Sequence, residues 1–408
     1  MNRKQKRDIP AILGGAPLFE SRMGIVRPAL PREASLRSRF VEVLTNGKIA
    51  NNSRYVRMFE QKLRNYLQID HCLLVCNATS GLMIALKSMQ LKGSVIVPSF
   101  TFSATIHALV WNGLEPIFAD IDPDTFNLDP RSVEEVLSRK VSAVMAVHMF
   151  GNPCDIDSLS ALADGNKIQL LFDSAHAFGS RYRDKLIGCF GDAEVFSFHA
   201  TKICPIGEGG AVTTRKVTLA RRLACARVFG DPGNSNVRFP GLNAKMSEFH
   251  AIVGLENMKS VRRHIQKRHK IVQTFKSNLS QLPGIKFQKI THCAESNFQN
   301  FVIIIDKNRF GMTRDQLQKV LYAENILTKR YFYPPLHRTI AYKSYYKKYD
   351  CKLPVTNEIS RNILCLPLYS DMTIIEVKKI CHAIVQAHLY APEIKKKLKR
   401  KGNSKGGK

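Results

Sequence analysis

The stretch FSFHATKICPIGEGGAVTT, residues 196–214, starts as an apolar run that ends in a lysine, Lys202. A charged amine at the end of a buried strand is costly to desolvate unless the protein uses it. Partial desolvation lowers the pKa of a lysine and makes its amine a nucleophile suited to a Schiff base. The glycines of GEGG (207–210) allow close approach of the backbone to a ligand. The alternative is a surface lysine whose head reaches solvent, so the neighbouring motifs must decide.

This stretch is the last of several apolar runs that alternate with helix-like segments. The runs are CLLVCN (72–77), SVIVPS (94–99), EPIFADID (115–122), VSAVMAVHMFG (141–151), IQLLFDSAH (168–176) and EVFSFHATK (194–202). Near-continuous β-branched and aromatic runs are typical of parallel strands that are buried on both faces. Their alternation with helices predicts an α/β fold around a mainly parallel, doubly wound sheet.

The chain has 408 residues, which is more than one hydrophobic core usually supports. After about residue 245 the strand and helix pattern changes, and two helices there start with the capping boxes TRDQ (313–316) and TIIE (373–376). We therefore predict an N-terminal extension (1–24), a large α/β domain (25–245), a single linking helix (246–282), a smaller C-terminal α+β domain (283–392) and a basic disordered tail (393–408).

The net charge of +29 raises the question of an anionic partner. Residues 395–408 contribute eight Lys and Arg residues and no acid, which indicates either a solubilising end or a contact with an anionic surface. No helix-turn-helix, zinc or RNA-binding motif accompanies the charge, so we expect no specific nucleic-acid partner.

The ten cysteines form no CxxC pair, so no zinc spacing and no metal site is predicted. Several of them lie in apolar runs, where a free cysteine acts as a small hydrophobic residue and suits a reducing compartment. No run approaches the roughly 20 apolar residues that span a bilayer. We expect a cytoplasmic protein without a membrane span.

Polar residues follow the predicted strands, where ligands bind in sheets of this kind. Asp173 ends the run IQLLFD, and such a carboxylate would keep a pyridinium nitrogen protonated; alone, it would more often be a turn or capping residue. NATSG (77–81) lies at a helix start, where free N–H groups bind phosphate or are simply capped. Phe102 would stack on a flat ring, or belong to the core. Together with Lys202, these groups fit pyridoxal 5'-phosphate (PLP).

The sequence resembles a known family over roughly residues 25–390. The matching stretches are VCNATSGLMIAL (75–86), VPSFTFSATIHALVWNGLEPIFADIDPDTFNLDP (97–130), VHMFGNPCDID (147–157), FDSAHAFGS (172–180), FSFHATKICPIGEGGAVTT (196–214), GLNAKMSEFHAIVGL (241–255), YFYPPLH (331–337) and LCLPLYSDMT (364–373). They are similar to the PLP-dependent nucleotide-sugar aminotransferases of the DegT/DnrJ/EryC1/StrS group, which have the fold type I architecture of a large α/β domain and a smaller C-terminal domain.

The resemblance implies roles for the residues around the cofactor ring. Lys202 corresponds to the catalytic lysine that binds the cofactor through a Schiff base, and Asp173 to the partner of the pyridine nitrogen. His176 falls at the position near the ring hydroxyl, and Phe102 at the stacking position.

The resemblance also implies a phosphate site made of Ala78, Thr79 and Ser197. Asn243, in GLNAKMSE, matches an asparagine that reaches the phosphate from the other subunit. The active unit implied by this match is a homodimer with active sites shared between subunits.

The form SFHATK…EGG is similar to members that aminate C4 of nucleotide-linked 4-keto-6-deoxyhexoses. The resemblance therefore implies a dTDP-4-keto-6-deoxyhexose as substrate and glutamate as amino donor, with an amino sugar for a surface polysaccharide or glycosylated metabolite as product. A C3 aminotransferase, a UDP-linked keto sugar and a non-catalytic PLP-binding regulatory protein are alternatives. Relatives that dehydrate the sugar have histidine in place of Lys202. ANNSR (50–54) departs from the glycine-containing turn of many members.

Overall fold

Strands and helices alternate through residues 9–50 and 52–403, the part of the chain that this computed structural model describes. The strands are β1 His71–Val75, β2 Ser94–Pro98, β3 Glu115–Ala119, β4 Val141–Val147, β5 Gln169–Asp173, β6 Arg181–Tyr182, β7 Lys185–Leu186, β8 Ala193–Ser197, β9 Gly210–Thr214, β10 Ile285–Phe287, β11 Ala294–Glu295, β12 Phe301–Ile305 and β13 Ile363–Leu366. The helices are α1 Arg37–Asn46, α2 Arg54–Leu67, α3 Ala78–Ser88, α4 Ser103–Trp111, α5 Pro130–Glu135, α6 Ile156–Gly165, α7 Val217–Ala226, α8 Glu248–Asn257, α9 Val261–Leu279, α10 Lys307–Phe310, α11 Arg314–Ala323, α12 Lys343–Tyr349, α13 Pro354–Asn362, α14 Ile374–Leu389 and α15 Ala391–Asn403.

The central sheet has seven strands in the order β1-β9-β8-β5-β4-β2-β3. The five strands from β8 to β3 pair in parallel, which confirms the predicted mainly parallel α/β sheet. The run at 72–77 was expected to join them as a parallel strand, but β1 pairs antiparallel with β9, a strand that we did not predict. Because β9 follows β8 through a short connection, it returns antiparallel to β8, and β1 beyond it again points the same way as β8.

Hydrophobic cores cover both faces of this sheet. Leu74 belongs to the core beneath α2 and α8, whereas Leu73 and Val75 belong to the core beneath α3, α4 and α7. Successive strand residues point to opposite faces, so burial on both faces requires apolar residues at every position. This requirement explains why the strands appear in the sequence as continuous apolar runs.

The predicted single helix over 246–282 is wrong. It consists of α8 and α9, separated by a 3₁₀ turn at Met258–Ser260. The α-helical geometry ends at Asn257, whose buried amide donates to the carbonyl oxygen of Pro205 in the loop that carries Lys202. α8 therefore packs within the large domain, while most of the buried apolar residues of α9 belong to a separate C-terminal core.

Glu248, at the start of α8, is almost fully buried. Its carboxylate accepts hydrogen bonds from the backbone N–H groups of Tyr55 (2.6 Å) and Val56 (3.0 Å), at the start of α2. Its own backbone N–H donates to the carbonyl oxygen of Ile49 (3.0 Å). Helix N-termini have unsatisfied N–H groups and a partial positive charge, so a buried carboxylate is stabilised there.

The C-terminal core is built by the antiparallel sheet β10-β12-β13 together with α9, α11, α14 and α15; we call this unit the small domain. The capping boxes predicted at 313–316 and 373–376 are confirmed at the starts of α11 and α14. Residues from the N-terminal extension, among them Leu18 and Phe19, pack against the same core, and Met23 forms a parallel bridge with Ile326.

The prediction of a disordered tail is wrong for residues 393–403, which belong to helix α15. Ile394 is fully buried in the small-domain core, and Leu398, one turn later, packs against it. Two apolar residues at i and i+4 are enough to hold one face of an otherwise basic helix. Residues 404–408 lie outside the described part of the chain. Among the described helices, none combines the length and apolar character needed to cross a bilayer.

Candidate active site

The strands place the ends of five apolar runs at one edge of the sheet. Gly210 of β9 pairs with Val75 of β1 on one side and with Ser197 of β8 on the other. Asp173, the last residue of β5, pairs with Val195 of β8. Neighbouring strands lie about 5 Å apart, so the residues that follow β1, β8 and β5 form one continuous surface.

Lys202 lies in a closed loop that follows β8. Its backbone N–H donates to the carbonyl oxygen of His199 (2.9 Å), and Phe198 and Gly209 close the loop with a 2.8 Å hydrogen bond. Desolvation lowers the pKa of Lys202 to about 8, against the opposing effect of the Asp173 carboxylate. At pH 7 about one tenth of this amine is neutral, compared with less than about one thousandth for an ordinary lysine. The site therefore contains an amine that is available as a nucleophile and base.

Asp173 presents a fixed carboxylate beside Lys202. Its side chain is buried and accepts hydrogen bonds from the hydroxyl of Thr105 (2.8 Å) and the backbone N–H of Ala175 (3.1 Å). Burial raises the pKa of Asp173, while these two hydrogen bonds and the charge of Lys202 lower it. A cationic ring nitrogen placed against it would favour the ionised carboxylate further. Sequence reasoning missed Thr105, although it lies within the quoted motif PSFTFSAT.

The hydrogen bonding of His176 indicates which ring nitrogen carries the proton. Its Nδ1 atom accepts a hydrogen bond from the backbone N–H of Phe150 (3.3 Å), so the neutral ring must carry its proton on Nε2. Desolvation, and then the charge of Lys202, keep the pKa of His176 well below its usual range. His176 therefore offers an Nε2–H donor. Phe150 was not predicted as a site residue; it lies three residues after the end of β4 and has a left-handed backbone (φ 60°).

A phosphate site is available at the start of α3. Asn77 caps this helix, because its side chain accepts from the backbone N–H of Ser80 (2.8 Å). Throughout the described chain, the N–H groups of Ala78 and Thr79 have no acceptor. Ser197, which is nearly buried at the end of β8, lies across Gly210 from this helix start. Free N–H groups and a hydroxyl at a helix N-terminus suit a phosphate.

Gly210 permits the close contact between β9 and the phosphate site. A Cβ atom there would lie 2.7 Å from the carbonyl oxygen of Phe196 and 2.9 Å from the backbone nitrogen of Ala78. We expect Gly210→Ala to destabilise the fold by about 1–3 kcal/mol, because backbone atoms must move, and to weaken PLP binding. Denaturant unfolding and a PLP titration measure both effects. Gly165→Ala, where a Cβ atom meets nothing within 4 Å, is the control and should neither destabilise the fold nor weaken PLP binding.

Phe102 has an exposed ring (58% exposed) next to this site, as a stacking residue requires. Its ring centroid lies 6.4 Å from that of Phe332, which stacks on Phe150 at 6.1 Å and an interplanar angle of 11°. Phe150 in turn lies parallel to His176 at 6.2 Å. Phe332 was not predicted as a site residue, although it lies in the quoted motif YFYPPLH. It extends the aromatic series from the segment that follows α11.

Asn243 differs from the other predicted residues, since it lies exposed beside the sheet. It forms an antiparallel bridge with Val228, and the next residue, Ala244, accepts a hydrogen bond from the backbone N–H of Cys76 (2.8 Å). The remaining predicted residues all lie at or after strand ends at the same edge of the sheet: Ala78, Thr79, Phe102, Asp173, His176, Ser197 and Lys202.

The groups at this edge fit PLP. The amine of Lys202 can bind an aldehyde, Asp173 can pair with a cationic ring nitrogen, and the Nε2–H of His176 can donate to a ring oxygen. The start of α3 offers free N–H groups to a phosphate, and the exposed Phe102 ring offers a flat surface to an aromatic cofactor. The fold and these groups define the class as a lysine-dependent PLP enzyme.

Comparison with known proteins gives the family. The model of the DegT/DnrJ/EryC1/StrS aminotransferase family matches residues 32–385, and the chain belongs to this family. The protein is therefore a PLP-dependent aminotransferase, and the predicted fold class and cofactor are confirmed.

The names of two relatives describe enzymes of nucleotide-sugar metabolism. The dTDP-4-amino-4,6-dideoxy-D-glucose transaminase of Escherichia coli is 32% identical over 349 residues, which cover 85% of this chain and 94% of the relative. The GDP-perosamine synthase of Escherichia coli O157:H7 is 28% identical over 349 residues, which cover 84% of this chain and 93% of the relative.

Solved structures show the same architecture. DesI, crystallised in the presence of its TDP-sugar product, is 35% identical with a TM-score of 0.86, covering 93% of this chain and 96% of DesI. PseC of Helicobacter pylori, an aminotransferase involved in pseudoaminic acid biosynthesis, is 25% identical with a TM-score of 0.83, covering 90% of this chain and 99% of PseC.

Proposed function

We propose that this enzyme transfers an amino group from glutamate to C4 of a dTDP-linked 4-keto-6-deoxyhexose. The product would be an amino sugar for a surface polysaccharide or a glycosylated metabolite. The observation that carries the proposal is the charge interaction between Lys202, in the loop after β8, and Asp173, at the end of the neighbouring strand β5. The relatives of the chain include dTDP-sugar and GDP-sugar enzymes.

Each residue of the site has a role in this reaction. When bound, PLP supplies an electron-poor ring that takes up the electron pair of a broken Cα–H bond. Lys202 Nζ accepts the proton from Cα of glutamate and, in the second half-reaction, delivers a proton to C4 of the sugar. Asp173 would favour a protonated ring nitrogen, and the Nε2–H of His176 would donate to the ring hydroxyl. The N–H groups of Ala78 and Thr79, with the hydroxyl of Ser197, would hold the phosphate.

The lowered pKa of Lys202 predicts a pH dependence of cofactor attachment. Only the neutral amine attacks the PLP aldehyde, so the attachment rate of the apoenzyme should rise about tenfold per pH unit and level off near pH 8. Stopped-flow absorbance from pH 6 to 10 measures this rate. The control is Nα-acetyl-lysine, whose rate should keep rising towards pH 10. An enzyme rate that still rises about tenfold per pH unit between pH 8 and pH 10 would contradict the assignment.

A panel of keto sugars tests the proposed substrate. The holoenzyme is incubated with glutamate and with dTDP-, UDP- and GDP-linked keto sugars, and the products are identified by mass spectrometry and NMR. We expect amination of the dTDP-4-keto sugar at C4. Amination at C3, or preference for the UDP sugar, would replace the substrate but keep the reaction class. Failure of glutamate to convert bound PLP to its amine form, together with no turnover of any sugar, would favour a regulatory protein.

We also propose that the enzyme is a homodimer in which Asn243 of each subunit completes the phosphate site of the other. Asn243 is exposed, and the segment around it carries the exposed apolar side chains Phe229 (53%) and Val237 (57%). Exposed apolar side chains of this size support a protein contact.

We also propose that the enzyme is located in the cytoplasm. Its ten free cysteines support a reducing compartment.

Mixed subunits test the shared site. Lys202→Ala and Asn243→Ala chains are unfolded together, refolded and assayed. If Asn243 acts across the interface, mixed dimers contain one intact site, and random pairing restores about one quarter of wild-type activity. If Asn243 serves its own subunit, no mixed dimer has an intact site and activity stays at the level of the separate variants. Each variant refolded alone is the control.

A further inference from the structure

A basic surface lies on the small domain, far along the chain from the residues of the active site. Its centre is helix α15, whose side chains Lys395, Lys396, Lys399 and Arg400 are all exposed. The apolar residue Ile394 is turned into the small-domain core and fixes which face of the helix is outward. The helix therefore presents its cations on a defined surface.

Helix α10 extends this surface. Its residues Lys307 and Arg309 are exposed, and Phe310 at its end accepts a hydrogen bond from His388 at the end of α14 (2.9 Å). A Cβ atom on Gly311 would lie 3.0 Å from Cβ of Ala391, the first residue of α15. We call Lys307, Arg309 and the four cations of α15 the basic surface.

The cations of the basic surface are not neutralised by the protein. Over the described residues, none of the six forms an ion pair with a carboxylate. The 3₁₀ turn Ala11–Leu13, which contacts α15, contains no charged residue. Two acids lie close by, Glu393 in the first turn of α15 and Asp306 directly before α10, but among the described residues neither forms an ion pair with these cations. The six cations therefore repel each other, and an anionic partner would relieve this repulsion.

We propose that the basic surface binds the anionic headgroups of a phospholipid bilayer. The cations stand on the outward face of a helix, which suits a flat charged surface. The exposed positions of α15 carry no aromatic side chain, and single-stranded nucleic acid binds in grooves with stacking aromatics. Because Ile394 and Leu398 are used in the small-domain core, the binding is electrostatic and reversible rather than an insertion of α15 into the bilayer.

Vesicle sedimentation of the full-length holoenzyme tests the proposal. We expect binding to vesicles of phosphatidylglycerol and phosphatidylcholine at about 0.05 M NaCl, and loss of it at about 0.5 M NaCl, where the Debye length is only about 4 Å. Pure phosphatidylcholine vesicles should not bind. The variant with Lys395, Lys396, Lys399 and Arg400 changed to glutamine should bind at least about tenfold more weakly, with unchanged transamination.

A matched variant removes the same number of charges elsewhere. Arg139, Lys140, Lys167 and Lys185 are also exposed and outside the ion pairs of the described chain, and their change to glutamine should leave vesicle binding unaltered. Equal loss of binding in both variants would show an effect of net charge and overturn the proposal. Failure of the wild type to bind anionic vesicles would overturn it too, as would salt-sensitive binding to duplex DNA or RNA without binding to vesicles.

Discussion

The Lys202→Ala enzyme should lose transamination by about 10⁴-fold or more, together with the visible absorbance of the covalently held cofactor. The variant lacks both the amine that binds the aldehyde and the group that moves the proton. Desolvation lowers the pKa of Lys202, so its amine is neutral more often than that of an ordinary lysine and can act as the base. The assay is turnover of a keto sugar with glutamate, and the spectrum is recorded on the same sample.

Two further measurements separate lost chemistry from lost folding. Borohydride should fix PLP to Lys202 in the wild type, as detected by peptide mass, and to no residue in the variant. Added methylamine should restore part of the activity to Lys202→Ala, because a small amine can enter the space left by the side chain. Lys185→Ala, on the surface strand β7, is the control and should behave as wild type. Normal amination by Lys202→Ala would refute the assignment.

Replacement of Asp173 by asparagine should reduce kcat by about 10²–10³-fold, the usual effect of removing one electrostatic group that stabilises a transition state. Asparagine keeps the shape, and its side-chain oxygen can accept from Thr105 or Ala175. What is lost is the negative charge that favours a protonated ring nitrogen. Cofactor attachment to Lys202 should persist, because it does not require that proton.

The pattern of rates identifies the role of Asp173. In single-turnover experiments, both half-reactions should slow, since each breaks or forms a C–H bond. Asp157→Asn removes a carboxylate on the surface, where it pairs with Arg183, and should leave both half-reactions unchanged. If Asp173→Asn lost cofactor but kept its rate when saturated with PLP, Asp173 would be a binding residue only.

The parallel strands of the central sheet could be predicted from the sequence, because burial on both faces requires uninterrupted apolar runs. Strand β9 could not be predicted from the sequence, because AVTT (211–214) is short and its antiparallel pairing depends on the return of the chain after Lys202. The end of the α-helix at Asn257 could not be predicted either, because it coincides with a side-chain contact to Pro205, a residue 52 positions away. Periodicity reports local pattern and contains no information about such distant contacts.

Some residues of the candidate active site could be predicted from the sequence and others could not. The residues at strand ends were predictable because parallel strands bring their carboxyl ends together, and the motifs mark those ends. Thr105, Phe150 and Phe332 were missed because they act on Asp173, His176 and Phe102 through contacts that only the folded chain creates. The helix at 393–403 was missed because charge dominates its composition, while only Ile394 and Leu398 decide its packing.

The anchoring of Glu248 bears on how this enzyme can diverge from its relatives. One side chain holds the start of α2, and the backbone of the same residue holds Ile49, so the segment between them is tied at both ends to a single point. A shorter segment would detach one of the two ends and leave a buried carboxylate or a helix start without its partner. ANNSR (50–54) is therefore free to exchange side chains or to gain residues, but restricted in losing them.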